Sequence, residues 1–123
     1  MLTREISPEE WIRFFEKFSK EHQGWIVTLE VIGPDIGDQE ESTRLPLVGI
    51  CADVKDRESY IEIIVGGRPE ARLTHIVHAP KRVWFKQPEE PGDEAIEVES
   101  EDGRMNLVRF IRIPPEEVER QLP

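Results

Sequence analysis

Hydrophobic positions along the chain follow two periods, and the change between them falls near Gly24. Before it, Trp11, Phe14, Phe15 and Phe18 recur at helical spacing and form one aromatic stripe, while Arg13, Glu16, Lys17 and Lys20 fall largely elsewhere. Ser7-Pro8-Glu9-Glu10 reads as the helix start. Ser7 caps the free amides, Pro8 suits the first helical position and Glu10 closes a capping box. Ile6 and Trp11 sit at hydrophobic-staple positions. Gly24 stops the helix, and Lys20 and His22 lie near the negative end of its dipole. A wide aromatic stripe predicts a helix laid on a sheet rather than one filling a partner's groove.

From Trp25 onward the period is two. Trp25, Val27, Leu29 and Val31 alternate with Thr28 and Glu30, which predicts a strand. Gly33-Pro34-Asp35-Ile36-Gly37-Asp38 breaks it, and a polar loop is expected to run to about Arg44. Further strands are expected at 45–54 (Val48, Ile50, Ala52 and Val54 on one face), 60–65 (Ile61, Ile63 and Val65 inward), 73–79 and 83–86. Turns fall at 55–58 and 66–69, a kink at Pro80, and a loop at 88–93. Ile96 and Val98 alternate with Glu97 and Glu99, Asp102-Gly103 supplies a turn, and Val108 and Phe110 return, with Val98 expected opposite Val108 and Ile96 opposite Phe110. Pro114-Pro115 ends the sheet, and 116–122 is expected to form a short helix or to fray. The pattern predicts an α+β fold: an N-terminal amphipathic helix packed on a strongly bent antiparallel sheet or small β-barrel of five to seven strands. It comprises one domain over 1–113 and a tail or short helix over 114–123.

Length and charge narrow this reading. A chain of 123 residues suits one domain and is large enough for a core without covalent staples. The lone Cys51 excludes an internal disulfide framework and fits a reducing compartment, so a cytoplasmic protein is expected. No apolar run approaches a membrane span, and the charged start is not a signal segment. A formal net charge of −10, spread along the chain, opposes nucleic acid or an anionic membrane as partner.

Reactive residues offer little. His75 and His78 are three apart in a run that reads as a strand, where that spacing puts them on opposite faces, one partly buried and one at the surface. No joint metal site is expected from them. Cys51 lies opposite Val48, Ile50 and Ala52 with no base beside it, and is expected to be structural and buried. With 26 acidic residues, carboxylate pairs carry no signal, and Gly66-Gly67-Arg68 matches no phosphate loop. The most distinctive patch is Lys81-Arg82-Val83-Trp84-Phe85-Lys86, basic in an acidic chain. If Val83 and Phe85 point inward, Arg82, Trp84 and Lys86 line the outer face as a binding surface for an anionic or aromatic group. The competing reading pairs Arg82 and Lys86 with Glu97 and Glu99 of the neighbouring strand.

Two resemblances add to this. Asp102-Gly103-Arg104-Met105-Asn106-Leu107-Val108 resembles the Asp-x-x-Met-Asn-Leu run of Sm-like RNA-binding proteins, which implies a helix before a five-stranded barrel. More broadly the chain is similar to an uncharacterised bacterial family of unknown function. The resemblance is carried by Trp11, Phe15, Gly24, Leu45-Pro46-Leu47-Val48-Gly49-Ile50, His75-x-x-His78-x-Pro80, Asp102-Gly103 and Phe110. It implies a small stand-alone protein with no established activity and transfers no catalytic residue.

The expected function is a non-catalytic binding or interaction module without cofactor, taking a protein or small-molecule partner or forming a homodimer. One alternative is a small-ligand barrel or enzyme with a site at strand ends among Asp53, Tyr60, His75 and His78. The other is Sm-like RNA binding, which the net charge opposes.

Overall fold

A computed structural model describes residues 2–35, 37–54, 58–88 and 93–112. Its strands are β1 (Leu2–Ile6), β2 (Ile26–Gly33), β3 (Gly37–Asp53), β4 (Tyr60–Val65), β5 (Leu73–His78), β6 (Pro80–Gln87), β7 (Glu94–Ser100) and β8 (Met105–Ile111), and helix α1 (Trp11–His22) lies between β1 and β2. They form one sheet ordered β1-β6-β7-β8-β2-β3-β4-β5, with antiparallel pairs throughout. The fold is thus α+β, and among the described residues the sheet has eight strands, where five to seven were expected, and does not close into a barrel.

The strand missing from the sequence reading is β1. Of its residues only Ile6 is buried, so it carries no alternating signal, and the ladder to β6 holds it. The polar stretch after Gly37 is also strand rather than loop. β2 and β3 fold back on each other at Gly33 and Gly37, and backbone pairing continues to Ile26 and Pro46. A ladder needs backbone groups, not apolar side chains, so composition hides it.

β3 then changes partner. Up to Pro46 it pairs with β2, and from Leu47 to Asp53 with β4. A register shift between Leu47 and Gly49 disturbs the alternation, burying Leu47 and Ile50 and leaving Val54 exposed. The expected single face of Val48, Ile50, Ala52 and Val54 is therefore broken. Cys51 is exposed, not buried, because it faces away from Ile50 on an uncovered side of β3. Where β3 leaves β2, α1 closes the gap: the Ser19 hydroxyl donates to the Ile50 carbonyl (2.7 Å) and accepts from the Ile50 amide (2.8 Å).

The helix starts differently from its capping-box reading. Pro8–Glu10 form one 3-10 turn, and Ser7 makes no side-chain bond to a backbone amide. Its hydroxyl donates to the Glu10 carboxylate, and the Glu10 amide bonds to the Ser7 carbonyl. The staple positions do meet: Ile6 and Trp11 are buried, and the Trp11 indole donates to the Ile6 carbonyl at 2.9 Å. The buried stripe is Trp11, Phe15, Phe18 and His22. Its Trp11, Phe15 and Phe18 pack with Val27, Leu29, Ile50, Ile61, Ile63, Val83, Ile96, Val98, Val108 and Phe110 into one core inside the bend of the sheet.

The β7–β8 hairpin pairs Val98 with Asn106, Ile96 with Val108 and Glu94 with Phe110, two residues away from the expected register. The turn sets this. Asp102 accepts from the Ser100 hydroxyl and from the Arg104 amide, and Gly103 takes a positive φ of 88°. The Ser100 hydroxyl first, and the Arg104 amide with it, hold the Asp102 carboxyl below the ordinary carboxylate range.

Asn106 follows at once and is buried. Its amide nitrogen donates to the Val98 carbonyl, and its oxygen accepts from His75 Nε2 at 3.0 Å. With the Glu101 amide bonded to the Ala79 carbonyl, this fastens the β5 end of the sheet to the β7–β8 turn. The run that resembles Sm-like proteins is therefore a hairpin and interior tether within an eight-stranded open sheet, not part of a five-stranded barrel. The expected helix or tail beyond residue 113 lies outside the described residues.

Candidate functional site

Strand alternation sorts β6 into two sides. Phe85 and Gln87 turn toward α1, while Trp84 and Lys86 turn away. On the α1 side the end of β6, the start of β7, Trp25 just before β2 and the later turns of the helix leave an open pocket of about 400 Å³. Its walls are rings. Phe14, Phe18 and Phe85 meet pairwise at 5.5–5.7 Å between centroids, and Trp25 closes the far side at 4.4 Å from the His22 ring.

His22 forms the base. Its imidazole stacks on Phe18 at 3.7 Å and 7° and is almost wholly buried. Nδ1 lies 2.9 Å from the Phe18 carbonyl oxygen, which only accepts, so Nδ1 carries a proton and donates. Nε2 lies 2.5 Å from Glu94 Oε1. A second proton is shared between that nitrogen and that carboxylate, since neither atom could face the other without one. The pair is buried, with 8% and 12% of the two side chains exposed.

The rim is charged. The guanidinium of Arg4, opposite Phe85 across the β1–β6 ladder, lies 5.8 Å from the centre of the Phe14 ring. Lys17 and Glu21 project from successive turns of α1, and Gln87 stands at the end of β6. Thus Arg4 and Lys17 stand by the Phe14 end of the pocket, and Glu21 and Glu94 by the His22 end.

The residues singled out in the sequence fall elsewhere. Arg82, Trp84 and Lys86 share the outer face of β6, Arg82 exposed and the other two partly buried. Opposite them on β7 stand Glu99, Glu97 and Ala95, and on β1 Glu5 and Thr3 flank Trp84 and Lys86. Lys86 Nζ is 2.7 Å from Glu97 Oε1. Asp53, Tyr60 and His78 form a row across β3, β4 and β5 on the outside of the sheet. The Tyr60 hydroxyl donates to Asp53 Oδ2 at 3.0 Å; this bond, with the aspartate's charge, pushes the phenol above its usual range. His75 points inward to Asn106, so the four strand-end candidates do not form one site. His75 and His78 both border a polar cleft of about 200 Å³ beside Ser100, Asp102 and Arg104. Among the described residues no three His, Cys, Asp or Glu side chains are grouped to hold a metal ion. No described helix is long and apolar enough to cross a membrane.

The pocket's key pair was missed for identifiable reasons. Glu94 lies 72 positions from His22 and is one of 26 acids. His22 read as a charge near the helix end. The signal was its spacing: Trp11, Phe15, Phe18, His22 continue one stripe by steps of four, three and four.

Comparison with known proteins places this geometry in a family context. The model of a family of unknown function, DUF5335, matches residues 2–119. An uncharacterised protein of Aquifex aeolicus (strain VF5) is 30% identical over 110 residues, covering 89% of this chain and 93% of the relative. No solved structure matches.

Proposed function

The chain belongs to DUF5335, and we propose that it is a non-catalytic binding module that takes a small molecule in the ring-walled pocket between α1 and the β6–β7 end of the sheet. One observation carries the reading: partly exposed rings of Phe14, Trp25 and Phe85 converge over a buried His22–Glu94 pair in a pocket of about 400 Å³. Concave, mostly apolar sites of roughly 300–1,000 Å³ with few convergent polar groups are what small ligands need. Binding is favoured over turnover because both His22 nitrogens are engaged within the chain, leaving neither as a base for a substrate.

The test is an amide NMR titration with indole, a neutral aromatic probe. Shift changes centred on Phe18, His22, Trp25, Phe85 and Glu94 are expected. These signals left unmoved both by indole and by a free aromatic dipeptide would overturn the reading.

A second reading assigns protein binding to the outer face of Arg82, Trp84 and Lys86. It is supported by a partly exposed tryptophan between two cations. Capture of the same partner by wild type and by a folded Trp84→Ala variant would count against it.

A further inference from the structure

The rim of the ring-walled pocket separates its charges along the helix axis. Arg4 and Lys17 stand at the Phe14 end, and Glu21 and Glu94 at the His22 end. Lys17 and Glu21 are one helical turn apart, a rise of about 6 Å. The acid end also holds the C-terminus of α1, whose carbonyl dipoles favour a cation there. Glu94 gives His22 one oxygen, Oε1, and its carboxylate has a second with which to meet a ligand. Between the two ends the lining is Phe18, Phe85 and Trp25.

From this arrangement we propose, resting on the small-molecule reading above, that the pocket's ligand is a zwitterion with an apolar or aromatic body: a short peptide of dipeptide size with both termini free. The carboxylate lies toward Arg4 and Lys17, the ammonium toward Glu21 and Glu94, and the side chains against the rings. A plain anion would meet the Glu21 carboxylate and the acceptor oxygens of Glu94 in a chain of net charge −10. A plain cation would meet Arg4 and Lys17. A neutral apolar body would bury part of the Arg4, Lys17 and Glu21 charges and bring no new partner to any of them. Length fits as well. Two extended residues span about 7 Å between their ends, close to the rise from Lys17 to Glu21, whereas one residue spans about half that.

The experiment is an amide NMR titration at low salt with L-phenylalanyl-L-phenylalanine, its N-acetyl form and its C-terminal amide, with indole as a control. Free dipeptide is expected to shift Trp25 and Glu94 and to bind at least tenfold more tightly than either blocked form. Lys17→Gln should weaken the free dipeptide several-fold and leave the amide unchanged, and Glu21→Gln should do the same relative to the N-acetyl form. Both changes lie on the exposed side of α1, so the variants fold. Equal affinity of free and blocked forms overturns the proposal. Indole binding without dipeptide binding up to about 10 mM also overturns it and leaves the small-molecule reading intact, whereas silence from both probes overturns the two together.

Discussion

The His22 imidazole is held on three sides: the Phe18 ring stacks beneath it, the Phe18 carbonyl takes Nδ1, and Glu94 takes Nε2. Removing one member of this buried, hydrogen-bonded pair leaves the other unsatisfied, at a cost of roughly 1–3 kcal/mol. Glu94→Ala is therefore expected to destabilise by about 2 kcal/mol in urea unfolding, and Glu94→Gln, which keeps an oxygen acceptor, by clearly less. Equal losses would mean that the pair contributes through packing alone. Cys51 gives a pH-dependent counterpart. Partial burial first, then the charges of Glu62 and Asp53, push its thiol above the ordinary range. The folded state thus prefers the protonated thiol. Its contribution to stability is complete below the unfolded thiol's pKa, about 8.5, and is lost as pH rises through the higher folded value. Alkylation by iodoacetamide near neutral pH should be slower in the folded protein than in urea despite the exposed position, and Glu62→Gln should speed it. A rate unchanged by Glu62→Gln would remove the electrostatic cause. Neither His22's partner nor the exposure of Cys51 was legible in sequence, because one depends on a contact 72 residues away and the other on which face of β3 is left uncovered.

At the scale of elements, the bend depends on how β3 passes from β2 to β4. Ser19 supplies the partner that the Ile50 backbone lacks at that point. Ser19→Ala leaves a partly buried donor and acceptor unpaired, and about 2 kcal/mol of stability should be lost, read as a lower urea midpoint. Ser19→Thr, which keeps the hydroxyl, should lose less. A second fixed point is Gly66, just after β4. Its φ is +133°, and an added Cβ would lie 2.6 Å from the Ala71 carbonyl oxygen and 2.9 Å from the Arg72 Cα. Both are backbone atoms, so Gly66→Ala should cost roughly 2 kcal/mol or more; an unchanged melting temperature would show that the 66–72 loop shifts freely. Elements with alternating apolar residues were readable: β2, β4 and the aromatic helix fall where periodicity puts them. Those held by ladders alone, β1 and the first half of β3, were not. The hairpin register slipped because Asp102 tightens the turn through side-chain bonds that residue spacing does not express.

For the molecule as a whole, the sequence carried the α+β class and the helix-on-bent-sheet arrangement, since both follow from one wide aromatic stripe and a run of two-residue periods. It did not carry closure or the pocket. β1 and β5 stand at the two ends of the described sheet, and His75 of β5 is tied to Asn106 of β8. The pocket is assembled from β1, α1, Trp25 just before β2, β6 and β7, and none of its local segments resembles a site. The three tryptophans report separately on the resulting surfaces: Trp11 in the core, Trp25 on the pocket wall and Trp84 on the outer face of β6. The most direct test of the pocket is therefore the indole N–H region of an NMR spectrum recorded while an aromatic probe is added. Binding in the ring-walled pocket moves the Trp25 signal with saturation while those of Trp11 and Trp84 stay in place. Movement of Trp84 with a silent Trp25 would contradict it and transfer the binding surface to the Arg82–Lys86 face.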